Sequence, residues 1–388
     1  MLTSLASVHL MFPIYNLDAQ KENDMSKSLQ VSLTYIIMHM GLIFFLYPLD
    51  VIECANEAHW IPVLAGYLFH ILMIYIYLKG LSYFKGESIV NILMKKNKWL
   101  AWLALLPMLI YLMWIIVLCI RSLAEVISIA FLSNTPLWIL MLLMLAISGY
   151  MTIHGKIGGL LRLSVLFIVL FIGPMFFVLV SSFQNVDWHY LFPIWPATNA
   201  LTFLSHPSFY KSLFAYTGGF LMLGFLPPKA AFTPKSIFWS SLLLLPIYLV
   251  SVYIPVLKLG EETARRLQFP YIFAVDTVEI NWLMFERINV FLLLSIVAFC
   301  MLFVAVTIWQ VICIFQQSIK NISSNILIPT IIFITFITCL TIPDWKEVDS
   351  FFQWNTGLRL YVAITTPSLL LCLGLLHARK MRLRLKSS

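Results

Sequence analysis

Two long apolar segments are interrupted by glycine and polar residues of the kind that bind small ligands. The first contains His39-Met40-Gly41 and the second contains Tyr216-Thr217-Gly218-Gly219. A helix broken at such a point exposes N–H groups that attract a carboxylate and carbonyl groups that attract an ammonium ion. An amino acid carries both groups. The pattern therefore predicts an amino-acid site, and its candidate residues are His39, Met40, Gly41, Tyr111, Tyr216, Thr217, Gly218 and Gly219.

Each of these residues also has a structural interpretation. Small residues let membrane helices approach closely, so Gly41 and the Gly218-Gly219 pair could serve packing alone. A single intramembrane Tyr or His often bonds to a neighbouring helix, which applies to His39, Tyr111 and Tyr216. The sequence leaves both interpretations open.

Arg121 and Glu125 are charged residues within an otherwise apolar segment. Their spacing of one helical turn predicts that they pair with each other. Charges in membrane helices often mark functional sites, so the pair is a candidate gate or relay as well as a simple ion pair.

The chain contains no motif typical of catalysis or of metal binding. It has no phosphate-binding GxxxxGK[ST], no HExxH and no GxSxG. The 6 cysteines occur singly, without CxxC spacing. We therefore expect no enzyme activity, no cofactor and no metal site.

The composition indicates a polytopic membrane protein. Of the 388 residues, 61% are hydrophobic and 11% are charged, whereas soluble domains contain about 25% charged residues. Apolar segments recur along the chain, and most approach the roughly 20 residues that a helix needs to cross a bilayer, although 213–226 is unusually short. About ten such spans are predicted, at 29–48, 60–78, 99–120, 136–153, 163–183, 213–226, 237–257, 288–319, 326–342 and 360–376.

The charges between the spans predict the orientation. Lysine and arginine concentrate in alternate connections and in the C-terminal tail, which places those connections and both termini in the cytoplasm. Acidic residues such as Asp50, Asp187 and Asp349 dominate the other connections. The long connection 258–287 carries both signs of charge and is predicted to be a partly folded external cap.

The chain divides into halves of about five helices each, which must then be inverted relative to one another. The predicted domains are an N-terminal tail at 1–26 and one transmembrane domain at 27–388. Within that domain the repeats cover 27–183 and 209–376, and 377–388 forms a basic tail. The interrupted helices are the first of each half, namely helices 1 and 6. Met25 is an alternative first residue of the protein.

Several short stretches, in order, resemble the spore germination permease family. They are Leu46-Tyr47-Pro48, Glu57-Ala58-His59-Trp60-Ile61, Gly158 to Arg162, Leu191-Phe192-Pro193, Phe269-Pro270-Tyr271, Val278-Glu279-Ile280 and Phe285-Glu286-Arg287. Three positions depart from the family pattern: Gly158 replaces an acidic residue, Asn289 replaces an Asp, and His59 is extra. These departures bear on which germinant the protein recognises and not on its fold. The signature residues are Pro48, Trp60, Arg162, Pro193, Phe269, Pro270, Glu286 and Arg287.

The resemblance implies the B subunit of an endospore germinant receptor, within the amino acid/polyamine/organocation superfamily. It implies a LeuT-like fold of ten helices in the inner membrane of the spore. It also implies assembly with an A subunit and a C-subunit lipoprotein, and binding of a small nutrient germinant.

Other functions remain open at this stage. A proton- or sodium-coupled amino acid transporter could use the same fold, because a fold does not determine function. A structural subunit that binds nothing is a further alternative, and a membrane enzyme is the least favoured.

Overall fold

The structure is a computed structural model that describes residues 12–84, 86–96, 98–196, 199–228, 230, 232–278, 289–319 and 322–387. Glu286 and Arg287 of the predicted signature lie outside the described residues, as do 1–11 of the predicted tail. The described part of the chain is helical with irregular connections and contains no strand. This confirms the all-helical class.

Fourteen α-helices follow one another along the described chain. The first seven are α1 (Phe12–Ile43), α2 (Tyr47–Cys54), α3 (Trp60–Ser82), α4 (Ile89–Lys96), α5 (Lys98–Ala130), α6 (Leu137–Ser181) and α7 (Pro207–Ser212). The second seven are α8 (Phe214–Thr217), α9 (Pro234–Leu259), α10 (Glu261–Arg266), α11 (Pro270–Asp276), α12 (Asn289–Ser318), α13 (Ser324–Leu340) and α14 (Trp345–Ser387). Helix α1 thus begins within the predicted tail, and α14 continues through the predicted basic tail.

Within the described residues, 6 helices are long and apolar enough to cross a membrane, or up to 7 if α1 and α2 form one bent span. The six are α3, α5, α6, α9, α12 and α14. Hydrophobic helices of this length require a membrane, because water solvates their side chains poorly. Within lipid, their backbone N–H and C=O groups must bond to each other, as they do in a helix. The chain is a multi-pass membrane protein.

Helix α6 covers the two predicted spans 136–153 and 163–183. Its 45 residues include one non-helical residue, Lys156, with φ 43° and ψ −169°. An uninterrupted helix of this length would measure about 68 Å, whereas the hydrocarbon core is about 30 Å thick. The change of backbone direction at exposed Lys156 therefore divides α6 into two segments.

The first predicted interruption lies one turn later than its glycine suggested. Helices α1 and α2 meet at an angle of 59°, and the residues between them are Phe44–Leu46. Pro48 lies in the first turn of α2. Backbone N–H groups in the first turn have no partner within the helix, so the absence of an N–H group in proline costs no hydrogen bond there. Gly41 remains helical, and a Cβ there would lie 3.0 Å from the backbone of α12. Gly41 thus permits close packing of α1 on α12.

The second interruption lies where the glycine pair predicts it. Helix α8 ends at Thr217, Gly218 follows as its C-cap, and a 3₁₀ turn covers Phe220–Gly224. The predicted span 213–226 is therefore a series of short helical pieces, with α7 immediately before it.

Helix α12 lies at the centre of the molecule. Its most apolar window is 78% buried, whereas the equivalent window of α6 is 17% buried. Helix α12 packs against α1, α5 and α6, and α14 packs against α3 and α5. The predicted partly folded connection 258–287 contains the short helices α10 and α11.

Candidate functional site

Helix α1, which precedes the first interruption, is in direct contact with the second interruption. His39 of α1 lies on Gly219, where a Cβ would come 2.4 Å from the imidazole Cε1. Only a residue without a side chain fits under this ring, so the glycine permits the contact. His39 is fully buried, and its Nδ1 lies 2.8 Å from the Tyr35 carbonyl. Two of the predicted site residues are thereby brought together.

A second histidine extends this cluster. His70 of α3 is buried, and its Nε2 lies 2.6 Å from the Tyr35 hydroxyl. The His39 and His70 rings are 5.0 Å apart, and His70 is 5.9 Å from the Tyr216 ring. Titratable side chains therefore adjoin the Gly218-Gly219 break.

Tyr216 makes structural hydrogen bonds. Its hydroxyl donates to the Val63 carbonyl at 3.0 Å and accepts from the Tyr47 hydroxyl at 2.7 Å. Its ring stacks on Tyr248 at 4.2 Å. This arrangement fits the interpretation in which an intramembrane tyrosine connects neighbouring helices.

Tyr111 and Thr217 lie on the other side of the break. Both are buried, and Tyr111 lies close to Thr217 and within electrostatic range of Arg359. The Thr217 hydroxyl donates to the Leu213 carbonyl at 2.9 Å, whereas the Tyr111 hydroxyl has no hydrogen-bond partner among the described residues. A polar group left in this state is available to a ligand or water.

Arg359 of α14 is a site residue that the sequence reasoning missed. It is fully buried, and its Nη2 donates to the Tyr210 carbonyl at 3.1 Å and to the Thr356 hydroxyl at 2.7 Å. Its Nε and Nη1 have no partner among the described residues. The guanidinium lies 5.8 Å from the centre of the Phe214 ring.

A buried ion cluster lies near this group. Lys211 of α7 has its Nζ 2.8 Å from Asp50 of α2 and 2.5 Å from Asp349 of α14. Asp50 and Lys211 are both buried. The cluster thereby connects three elements, two of which adjoin the helix interruptions.

A cavity of about 10 Å³ adjoins this cluster and is lined in part by Phe214 and Phe352, which is room for about one water molecule. These two phenylalanines pack edge to face at 5.0 Å. Phe214 also contacts Arg359, so this ring adjoins both the cavity beside the ion cluster and the arginine.

The predicted pairing of Arg121 with Glu125 is confirmed, because Nη1 of Arg121 donates to Glu125. The same guanidinium donates to the carbonyls of Ile342 and Pro343, each at 3.2 Å. Arg121 thus holds α5 to the connection between α13 and α14. A gating role for the pair stays a prediction.

Most of the described signature residues lie at or near element boundaries, whereas Arg162 lies within α6. Trp60 begins α3, and its indole N–H donates to the Ile194 carbonyl at 2.9 Å, while Pro270 begins α11. Phe269 packs against Trp345 at 5.0 Å, and the bond before Pro193 is cis. These residues stabilise the connections between helices. They take no part in the contacts described above around the Gly218-Gly219 break.

Local contacts accompany the three departures from the family pattern. Arg162 donates to the carbonyl of Gly158 at 3.3 Å, and Asn289 donates to Asp276 at 2.6 Å. His59 is buried just before α3, and burial lowers its pKa to about 4. His59 is therefore neutral at neutral pH.

The candidate site thus contains two groups, one on each side of the glycine break. His39 and Gly219 belong to the first group, and Tyr111, Thr217 and Arg359 belong to the second. Met40 is buried in the core. No group of three or more potential metal ligands occurs among the described residues.

The fold and this site define a class: an all-helical, multi-pass membrane protein with interrupted helices around a buried polar site. The family model described as "Spore germination protein" matches residues 26–348. The chain therefore belongs to the spore germination permease family, which confirms the resemblance. The family is of the permease or receptor type and is not a known class of enzyme. A search of curated proteins finds no match.

Proposed function

We propose that this chain is the membrane subunit of a spore germinant receptor, which binds a small nutrient germinant and helps to trigger germination. An amino acid is the proposed germinant. The observation that carries the proposal is the contact of His39 with Gly219 between two interrupted helices, in a chain of the spore germination family. Interrupted helices supply the free backbone groups that bind charged ligands in membrane proteins.

The proposal includes a LeuT-like arrangement of ten membrane helices. In it, α1 with α2 and the pieces around α8 are the first helices of two inverted repeats of about five helices each. The division of α6 at Lys156 supports this count, because α6 then supplies two spans. Both termini face the cytoplasm, and the protein resides in the inner membrane of the spore.

The proposed partners are an A subunit and a C-subunit lipoprotein. A germinant can act through this assembly only if it binds one conformation more tightly than another. The Phe214–Phe352 aromatic pair and the ion cluster that connects α2, α7 and α14 are elements whose arrangement could differ between two such conformations.

Deletion of the gene tests the proposed function. Spores of a strain without redundant receptors are exposed to a panel of nutrients, and germination and partner-subunit levels are measured. We expect loss of the response to at least one nutrient and its restoration by the wild-type gene. Unchanged germination with every nutrient, together with unchanged subunit levels, would contradict the receptor role.

The second candidate is a proton- or sodium-coupled amino acid transporter. It is favoured by the buried cluster of Tyr35, His39 and His70 beside the break, because intramembrane titratable residues often form proton pathways. Uptake of labelled amino acid into vesicles that contain only this chain would favour the transporter. Binding without uptake would favour the receptor.

A further inference from the structure

The Arg359 guanidinium has more donors than the protein uses. Arginine carries five N–H donors, and two partners, the Tyr210 carbonyl and the Thr356 hydroxyl, occupy its Nη2. The donors on Nε and Nη1 have no partner among the described residues, although the side chain is fully buried. Burial of an unsatisfied charged donor is costly, so this arrangement needs an explanation.

No carboxylate of the described residues forms an ion pair with Arg359. The nearby carboxylates Asp50 and Asp349 are instead paired with Lys211. The cluster thus has two acidic groups and one basic group, and Arg359 supplies the second positive charge. A buried guanidinium with free donors and no direct ion pair is rare unless it serves a ligand or a switch.

Other unpaired polar groups surround the guanidinium. Asn355 precedes Arg359 by one helical turn on the same face of α14, is buried, and has no partner for either amide atom among the described residues. Tyr111 lies within electrostatic range of Arg359 and close to Thr217, and its hydroxyl makes no well-formed hydrogen bond among the described residues. Their donors are therefore grouped with the free N–H groups of Arg359.

We propose that Arg359, with Tyr111 and Asn355, is the subsite that binds the carboxylate of the ligand. This inference rests on the proposed function and specifies its chemistry. Planar guanidinium matches a carboxylate in geometry and can bind it through two hydrogen bonds. The sequence predicted that N–H groups at a helix N-terminus bind the carboxylate. In the structure, the Arg359 side chain of α14 takes this role, and the ligand is an anionic or zwitterionic carboxylate.

The position of Phe214 connects this subsite to the break. Phe214 begins α8, contacts Arg359 from one side and packs on Phe352. Thr217, the last residue of α8, lies beside Tyr111. A carboxylate that binds Arg359 would therefore act directly on the short helix that precedes Gly218.

The test uses the full chain in lipid nanodiscs and its unfolding temperature. The probes are the individual L-amino acids, the primary amide of each, and sodium chloride at matched ionic strength. We expect at least one amino acid to raise the unfolding temperature in a dose-dependent manner, as ligands of the folded state do. Its amide and sodium chloride should not.

Variants of Arg359 then test the subsite itself. Arg359→Gln should raise the apparent Kd by about tenfold or more, the effect of a lost charge-assisted hydrogen bond. Arg359→Lys should retain part of the response, because lysine keeps the charge without the planar fork. The matched control is Arg266→Gln, which changes an exposed arginine of α10 and should bind like the wild type.

The ligand-free unfolding temperature separates a ligand-binding role from a structural role. Loss of a buried guanidinium with unsatisfied donors should leave Arg359→Gln at least as stable as the wild type without ligand. A structural arginine would instead make the variant less stable. A ligand-free unfolding temperature well below that of the wild type would therefore count against the subsite.

Several outcomes overturn the proposal: wild-type affinity in Arg359→Gln, equal stabilisation by acid and amide, equal stabilisation by sodium chloride, or no stabilisation by any amino acid. The gene deletion described above fails or succeeds separately. If deletion abolishes germination while any of these outcomes holds, the receptor role stands and only the carboxylate subsite is wrong.

Discussion

Lys211 is the residue on which the buried charge arrangement depends. It shares its ammonium group between Asp50 and Asp349, at 2.8 Å and 2.5 Å. Removing the cation would leave two carboxylates near each other, one of them buried. Buried charges such as Lys211 and Asp50 are stabilising only when paired, because they have lost most of their contact with water.

We therefore expect Lys211→Met to lower the free energy of unfolding by about 3–5 kcal/mol, the cost of leaving a buried charge unpaired. The measurement is equilibrium unfolding of the purified protein in detergent. Lys346→Met is the matched control, since Lys346 is exposed, and it should change stability by less than about 0.5 kcal/mol. Equal effects of both variants would contradict the importance of the cluster.

Gly219 allows a second test at this scale. In Gly219→Ala, the new Cβ would lie 2.4 Å from the His39 ring, so the ring or the break must move. Overpacking of this kind costs about 1–3 kcal/mol, and detergent unfolding measures it.

Gly173→Ala is the control for this substitution, because nothing lies within 4 Å of its Cβ position. We expect it to match or exceed wild-type stability, since alanine favours a helix over glycine by about 1 kcal/mol. If both alanine variants were equally stable, the close contact of His39 with Gly219 would be refuted.

The sequence was informative about glycines and misleading about charges. Gly218-Gly219 coincides with the second break, whereas Gly41 is helical and serves close packing. Arg359, by contrast, stands directly before an uncharged segment and was excluded from the span. Its spacing of four from Asn355 was the available signal, since residues so spaced share a helix face.

At the scale of elements, close helix packing explains much of the arrangement. Gly80 of α3 lies against α14, where a Cβ would come 2.8 Å from the backbone nitrogen of Leu371. A backbone atom cannot move aside as a side chain can, so an added methyl group must displace the helix. Small residues at such crossings are common in membrane proteins.

Gly80→Ala should therefore destabilise the protein by about 1–3 kcal/mol, because α3 and α14 must separate. The comparison is Gly357→Ala in α14 itself, where nothing lies within 4 Å of the Cβ position. Thermal unfolding of the two variants decides the point. A tolerated Gly80→Ala would show that α3 and α14 are not in such close contact.

Element boundaries were only partly predictable. Hydropathy identified the apolar segments, but the acidic residues Asp50 and Asp349 were assigned to connections, whereas they lie in α2 and α14. The reason is physical: each charge is paired with Lys211, and hydropathy evaluates residues one at a time. Gly41 was predicted to mark a break in the first helix, but that break falls at Phe44–Leu46.

At the scale of the whole molecule, the central helix α12 and the peripheral helix α6 have similar hydropathy, 2.9 and 2.8. Composition alone could not distinguish them, because lipid and protein interior are equally apolar. Burial distinguishes them, because 78% of the most apolar window of α12 is buried and only 17% of that of α6. The class of protein was therefore predictable from the sequence, whereas the position of each helix was not.

The central claim is that the break at Gly218 forms part of a nutrient-binding site that controls germination. The most direct test is the germination dose response, to a nutrient identified by gene deletion, of spores carrying Gly218→Leu. The new side chain would meet Leu42 and Phe303, with Leu42 2.8 Å from the Cβ position. Gly173→Leu, with open space at its Cβ position, is the control for the added bulk.

We predict that Gly218→Leu shifts the half-maximal nutrient concentration by about tenfold or more, the effect of losing about 1.4 kcal/mol of binding. Gly173→Leu should respond like the wild type, and both proteins should be present at wild-type levels. An unchanged dose response for Gly218→Leu would contradict the account.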